Sequence, residues 1–296
     1  MVEKLFRGVY TAIITPFDEY DLIDYTALGN LIEFQIASGV QGIVVCGTTG
    51  ESPTLSPEES DTVIDFTVRK VNKRVPVIAG TGSNSNYEAV QMTIHAQNFG
   101  ADAILQVLPY YNKPTQEGMY RHFKKIAEST RLPIILYNIK SRCGVNLETD
   151  TLLCLIKDCP NIVAVKEASG DLNQIKDVIA KKPDYFCVLS GDDALTLDVI
   201  KAGGDGIISV VSNVIPKEVV ELTSVALKGN YSLAEKLNEK LMPFFKMAFI
   251  ETNPIPIKAM AVMKGMCKEI YRLPICELRP ENRKKVEQLM KEMGFL

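Results

Sequence analysis

The sequence predicts a (β/α)8 barrel, the TIM-barrel class of α/β fold, with a small helical appendage at its C-terminal end. Eight short, β-branched apolar runs recur along the chain: VYTAIIT (9–15), GIVVC (42–46), VPVIAG (75–80), DAILQV (102–107), PIILYN (133–138), IVAVKE (162–167), FCVLS (186–190) and GIISV (206–210). Most begin about 20 to 35 residues after the one before, the repeat length of a βα unit. The runs alternate little, as parallel strands covered by helices do. In about 215 residues the simplest closure of eight such strands is a barrel. An open doubly wound sheet is the alternative, but its first strand is usually followed by a Gly-rich phosphate loop, and here TPFDEYD follows instead.

The spacers justify the helices. Ser56-Pro57-Glu58-Glu59 supplies a cap, a proline for the first helical position and a capping-box glutamate ahead of an apolar-periodic stretch. SGVQGIVV, FGADAILQV and AGGDGIISV repeat one helix–Gly–strand junction three times. After residue 216 the strand pattern stops, and segments 217–229, 231–250, 255–269 and 281–294 have helical composition. The expected division is a catalytic barrel over 1–229 and a helical region over 230–296 packed against it.

Composition narrows the partners. The chain has 296 residues, 46% of them hydrophobic, and a net charge of −3, which offers no basic excess for nucleic acid or an acidic membrane surface. No run approaches the ~18 apolar residues of a membrane span. The N-terminal segment mixes charges into its apolar residues and lacks a signal-peptide pattern. Seven cysteines form no C-x-x-C pair and read as free thiols of a reducing cytoplasm. Only two histidines, His95 and His122, are present, so no metal site is expected.

Chemistry in such barrels sits where strands end and βα loops begin. The loops concerned are GTTGES (47–52), LPYYNKP (108–114), YNIKSRCG (137–144), KEASG (166–170) and SGDD (190–193). GTTGES reads as a cradle for a small carboxylate or as a plain turn; it lacks the lysine and spacing of a P-loop. Tyr110 and Tyr111 fit packing or a subunit contact as well as catalysis. Tyr137 sits inside an apolar strand, so its hydroxyl needs a partner. Arg142 is a bidentate carboxylate ligand or a solvated loop residue.

Lys166 ends the apolar run Ile162–Val165. Viewed locally, a snorkelling lysine or one paired with Glu167 is the plainer reading. In a barrel, alternation places Lys166 on the side of Ile162 and Ala164, at the mouth. A lysine desolvated there loses preference for its charged form and becomes a nucleophile able to form an imine with a ketone.

Taken together, GTTGE, PYYNKPTQEG, YN–SR–G, VKEASGDL, LSGDD and NPIPIK (253–258) resemble the pyruvate-dependent class I aldolase/lyase superfamily. More narrowly they are similar to the dihydrodipicolinate synthase family, over about residue 7 to beyond 265. The resemblance implies condensation of pyruvate with L-aspartate 4-semialdehyde through a lysine Schiff base, without a cofactor. It gives Lys166 the imine, Tyr137 the proton transfer, and Thr49 and Tyr111 a hydroxyl relay, with Tyr111 reaching a neighbouring subunit in a homodimer or homotetramer. It makes Thr48 and Thr49 the partners of the pyruvate carboxylate, with backbone groups of Gly191 and Ile208, and gives Arg142 the semialdehyde carboxylate. Asn84, Glu88 and Tyr110 match an allosteric lysine pocket, whereas Pro57 and Ser60 replace histidines of lysine-sensitive members, so weak or absent inhibition is expected. Lys140 and Cys143 stand where the family commonly has proline and threonine. A sibling aldolase acting on a keto-deoxy-sugar acid or sialic acid is the nearest alternative, and a non-catalytic binding barrel the more distant one.

Overall fold

The computed structural model describes residues 4–296. The first three residues of the segment read for a signal peptide lie outside them. Eight parallel strands close in sequence order: β1 (Gly8–Ala12), β2 (Gly42–Val45), β3 (Val77–Gly80), β4 (Ala103–Val107), β5 (Ile134–Asn138), β6 (Ile162–Glu167), β7 (Cys187–Ser190) and β8 (Gly206–Ser209). Every apolar run thus became a strand, and the doubly wound alternative is excluded by the β1–β8 pairing. Closure demands glycine: a Cβ on Gly206 would lie 2.0 Å from the carbonyl oxygen of Gly8.

The helices are α1 (Tyr25–Ala37), α2 (Pro57–Val71), α3 (Asn86–Asn98), α4 (Gln116–Glu128), the single turn α5 (Lys140–Cys143), α6 (Thr149–Asp158), α7 (Leu172–Lys181), α8 (Thr196–Lys201) and α9 (Pro216–Leu227). Then come α10 (Tyr231–Met247), α11 (Ile255–Met263) and α12 (Pro280–Glu292). The box expected at Ser56 forms: its hydroxyl accepts from the Glu59 amide while the Glu59 carboxylate accepts from the Ser56 amide. Gly39, Gly100 and Gly203 adopt left-handed backbone at the three repeated junctions. Among the described residues no helix is long and apolar enough to cross a membrane.

Two cores result from strands buried on both faces. The outer one lies between strands and helices and includes Val9, Ile43, Val77, Ile104, Leu136, Val165 and Val188. The inner one fills the barrel with Tyr10, Ala12, Val44, Ile78, Leu105, Ile135, Tyr137, Ala164, Leu189 and Ile208. Phe6 packs edge-on against Tyr10 and closes the N-terminal end. The C-terminal end stays polar.

One alternation is broken. Ile134 pairs with Ile162 but Ile135 with Ala164, so β6 carries an extra residue at Val163. This bulge sends Ile162 to the outer core, whereas Ala164 lies inside. The expectation that Ile162 shares the Lys166 face is therefore corrected; strict alternation holds only from Ala164 onward.

Candidate active site

Lys166 lies at the mouth of the barrel and is 4% exposed. β5 and β6 place it beside Tyr137 in register, and its Nζ stands 4.1 Å from the centre of the Tyr137 ring. Burial is the main cause that lowers its pKa, to about 7; the carboxylate of Asp193 opposes the shift and the charge of Arg142 adds to it. Half of the amines are then neutral near pH 7, the form that attacks a carbonyl.

Glu167 is not its partner. One residue on, it faces the other side of the sheet, where its carboxylate accepts from Asn138 Nδ2 (2.8 Å) and Ser169 Oγ (2.7 Å). The anion that acts on Lys166 is Asp193, which is fully buried and accepts from Ser209 Oγ (2.6 Å) and the Val210 amide (3.0 Å). Burial pushes the Asp193 carboxyl up to about 6, against those hydrogen bonds.

Tyr137 is also buried, and desolvation raises its phenol to about 12, against the charge of Arg142 and the hydroxyl of Thr48. It stays protonated at neutral pH, able both to donate and to accept. A cavity of about 90 Å³ opens between Thr48 and Tyr137 and extends toward Gly80, Gly82 and Met92. Its wall does not include Lys166, which lies over the Tyr137 ring instead.

Thr49 is buried, and its hydroxyl accepts from Asn253 Nδ2 at 3.0 Å. The carbonyl of the same Asn253 accepts from Arg142 Nη2 at 2.8 Å. Asn253 thus joins the GTTGES loop to the α5 turn, and its Oδ1 is buried without a protein partner. Gly191 packs directly on the lysine: a Cβ there would stand 3.1 Å from Lys166 Cε and 2.7 Å from Ala168 Cβ. Its amide is taken by the Glu167 carbonyl (2.7 Å), which leaves its own carbonyl as the group it has to offer. The β7–β8 ladder ends at Ser190–Ile207, so Ile208 lies just beyond it on the inner face.

Chain-wide comparisons agree with this geometry. The sequence model of the "Dihydrodipicolinate synthetase family" matches residues 5–293. The chain belongs to that family. The 4-hydroxy-tetrahydrodipicolinate synthase of Endomicrobium trichonymphae is 51% identical, over 99% of this chain and 100% of its own. The crystal structure of dihydrodipicolinate synthase from Aquifex aeolicus is 49% identical, with a TM-score of 0.97 over 98% of this chain and 99% of its own. That of Acinetobacter baumannii, complexed with pyruvate, is 43% identical, with a TM-score of 0.95 over 98% of this chain and 99% of its own.

Within this dihydrodipicolinate synthetase family member, Lys166, Tyr137, Thr48, Thr49, Arg142, Gly191 and Ile208 gather around one barrel mouth. Tyr111 does not: it is 89% exposed, at φ +70°, in the loop after β4. Asn84 and Tyr110 lie in the loops after β3 and β4, and Glu88 in the first turn of α3. Asn84 lines a cavity of about 300 Å³ with Pro109, Asn112 and His122, but Glu88 and Tyr110 are not in its wall. Lys140 is exposed on the α5 turn, whereas Cys143 is buried. Pro57 is exposed at the start of α2, and Ser60 is buried one turn on. Asp193 and Asn253 are the site members that the sequence reading missed. Both lie in segments it had marked, SGDD and NPIPIK, but their partners lie far along the chain.

Proposed function

We propose that the protein condenses pyruvate with L-aspartate 4-semialdehyde through an imine on Lys166 to give 4-hydroxy-tetrahydrodipicolinate. The observation that carries this is a buried lysine amine, brought to about 7, lying over the ring of a buried, protonated tyrosine. Membership in the family and the names of relatives about 50% identical over the whole chain support the substrate pair.

The neutral Nζ attacks C2 of pyruvate, and the carbinolamine loses water to give an iminium. The iminium draws electrons from C3, which gives up a proton and becomes an enamine carbon. That carbon attacks the aldehyde of the semialdehyde, whose oxygen takes a proton. The amine of the second substrate then displaces Lys166 from C2 and closes the ring. Tyr137, with the Thr48 and Thr49 hydroxyls, moves the protons, since a neutral phenol in a chain of hydroxyls donates and accepts in turn. Thr48 and Thr49 hold the pyruvate carboxylate, with backbone groups of Gly191 and Ile208, and Arg142 holds the carboxylate of the semialdehyde. The iminium is the electron sink, so the cycle calls for no cofactor.

The exposed Tyr111 fits a role in the relay of a neighbouring copy, and hence a homodimer or homotetramer in the cytoplasm. With Pro57 and Ser60 at α2, lysine inhibits weakly or not at all; micromolar inhibition in a titration contradicts this. Borohydride reduction with pyruvate tests the central step. It should fix one reduced pyruvyl group on Lys166, and turnover of a keto-deoxy-sugar acid with none of the semialdehyde overturns the substrate assignment.

A further inference from the structure

Two charged residues in the GTTGE and NPIPIK motifs take no part in that reaction: Glu51 and Lys258. Both side chains are fully buried, and Lys258 Nζ donates to Glu51 Oε1 at 2.6 Å. Lys258 lies on α11 in the C-terminal region, and Glu51 lies two residues after Thr49. The Nζ of Lys258 also stands 4.3 Å from the centre of the Phe17 ring, which the Arg272 guanidinium covers at 4.4 Å. Arg272 in turn donates to both carboxylate oxygens of Glu59 (2.6 Å each) and to the Thr54 carbonyl (3.0 Å). Its backbone amide donates to Glu51 Oε2 at 3.3 Å. With the Asn253–Thr49 bond, three groups from residues 253–272 grip residues 49–59.

The loop needs holding. Glu51 has φ +56°, a left-handed backbone that a residue with a Cβ adopts only when its surroundings impose it. The neighbouring turn is tight: the Gly50 amide donates to the Gly47 carbonyl, and the Glu51 amide to the Thr48 carbonyl. A buried ion pair is a weak source of stability, because apolar residues of similar volume often serve as well. What the pair adds is direction, since one short hydrogen-bonded contact admits one placement of the two chains.

We propose that the Lys258–Glu51 pair is a positioning clamp through which the C-terminal region sets the loop 47–55, and with it the Thr48 and Thr49 hydroxyls. The kinetic consequence rests on the reading of those hydroxyls as partners of the keto-acid carboxylate; the conformational one does not.

Two variants test it. Glu51→Asp keeps the charge but withdraws the carboxylate by one methylene, and the double variant Glu51→Leu, Lys258→Met replaces the pair with apolar groups. Hydrogen exchange of the 47–55 amides, thermal unfolding, and the KM for each substrate are measured. The expected result is faster exchange confined to 47–55 in both variants. The KM for pyruvate should rise about tenfold or more, with the KM for the semialdehyde changed far less. The double variant should unfold near the wild-type temperature and yet keep the raised pyruvate KM. Wild-type exchange over 47–55 in Glu51→Asp overturns the clamp, as does a double variant with wild-type stability and pyruvate KM. Failure of borohydride to label Lys166 in the wild type strikes the active-site reading alone, and the exchange measurement still decides the clamp.

Discussion

The barrel mouth and the loop clamp each bury a lysine, and the two lysines face opposite fates. Lys166 is 4% exposed and Lys258 is not exposed at all. Desolvation lowers the pKa of both. Lys258 has a carboxylate at 2.6 Å that opposes the shift and favours its charged form, so it is held as one half of an ion pair. Lys166 has a tyrosine ring and, at longer range, the buried Asp193, so its amine stays near neutrality. Burial alone does not make a nucleophile. The missing carboxylate does.

The largest expected effect breaks that symmetry. Lys166→Ala should lower kcat on the order of 10⁴-fold or more, as removal of a nucleophile does. Lys166→Met should raise stability at pH 7 by roughly 4 kcal/mol, because it removes an amine whose pKa falls from 10.5 to about 7 on folding. Lys258→Met should instead lower stability by about 3–5 kcal/mol, because it strands the Glu51 carboxylate in the interior. Thermal unfolding of the two variants checks the signs. Shifts in the same direction would mean that the two environments do not differ as described.

Tyr137→Phe comes next. It keeps the ring under Lys166 and removes only the hydroxyl, so kcat should fall about 10²–10⁴-fold while the borohydride adduct still forms on Lys166. Loss of the adduct would show that the phenol is needed for the amine's reactivity as well as for proton transfer.

How much of this was legible in the sequence follows from the range of the forces. The eight strands were, because parallel strands buried on both faces leave continuous apolar runs, and so were the capping box and glycine junctions, which are local chemistry. The face of Ile162 was not, because a bulge at Val163 reverses the alternation without a glycine or proline to announce it. Lys166 was legible as a strand-end anomaly, and its neighbour Glu167 proved to face away for the reason that makes strands alternate. Asp193 and Asn253 escaped because their parts depend on distant segments. Thr49 and Asn253 are 204 positions apart, and only the closed barrel brings them together.

A smaller perturbation sharpens the mouth itself. Gly191→Ala puts a methyl group 2.7 Å from Ala168 Cβ, closer than carbon atoms tolerate, and 3.1 Å from Lys166 Cε, tight enough that the lysine must give way. The lysine has to tilt, and kcat for imine formation should drop about 10–100-fold, in line with the cost of misplacing a reacting atom by ~1 Å. Single-turnover trapping with pyruvate reads that step alone; an unchanged rate would show that the amine has room the packing does not suggest.

The smallest effect is the titration of Lys166 at the mouth. With the amine near 7, its neutral fraction falls from about half at pH 7 to about a tenth at pH 6, so the rate of imine formation should drop about fivefold. Stability runs by the same linkage. The folded-state pKa lies below the unfolded value of 10.5, so the folded chain holds fewer protons between the two. The contribution of Lys166 is therefore greatest above about 10.5, declines as pH falls through that window, and reaches its floor below about 7. In Lys166→Met that part of the slope vanishes, whereas in Glu51→Leu, Lys258→Met it remains, because the double variant leaves Lys166 buried beside Asp193. Chemical unfolding at pH 7, 8, 9 and 10 measures the slope. The same slope in Lys166→Met as in the wild type would mean that Lys166 enters the fold as an ordinary charged lysine, and the contrast between the two sites would collapse.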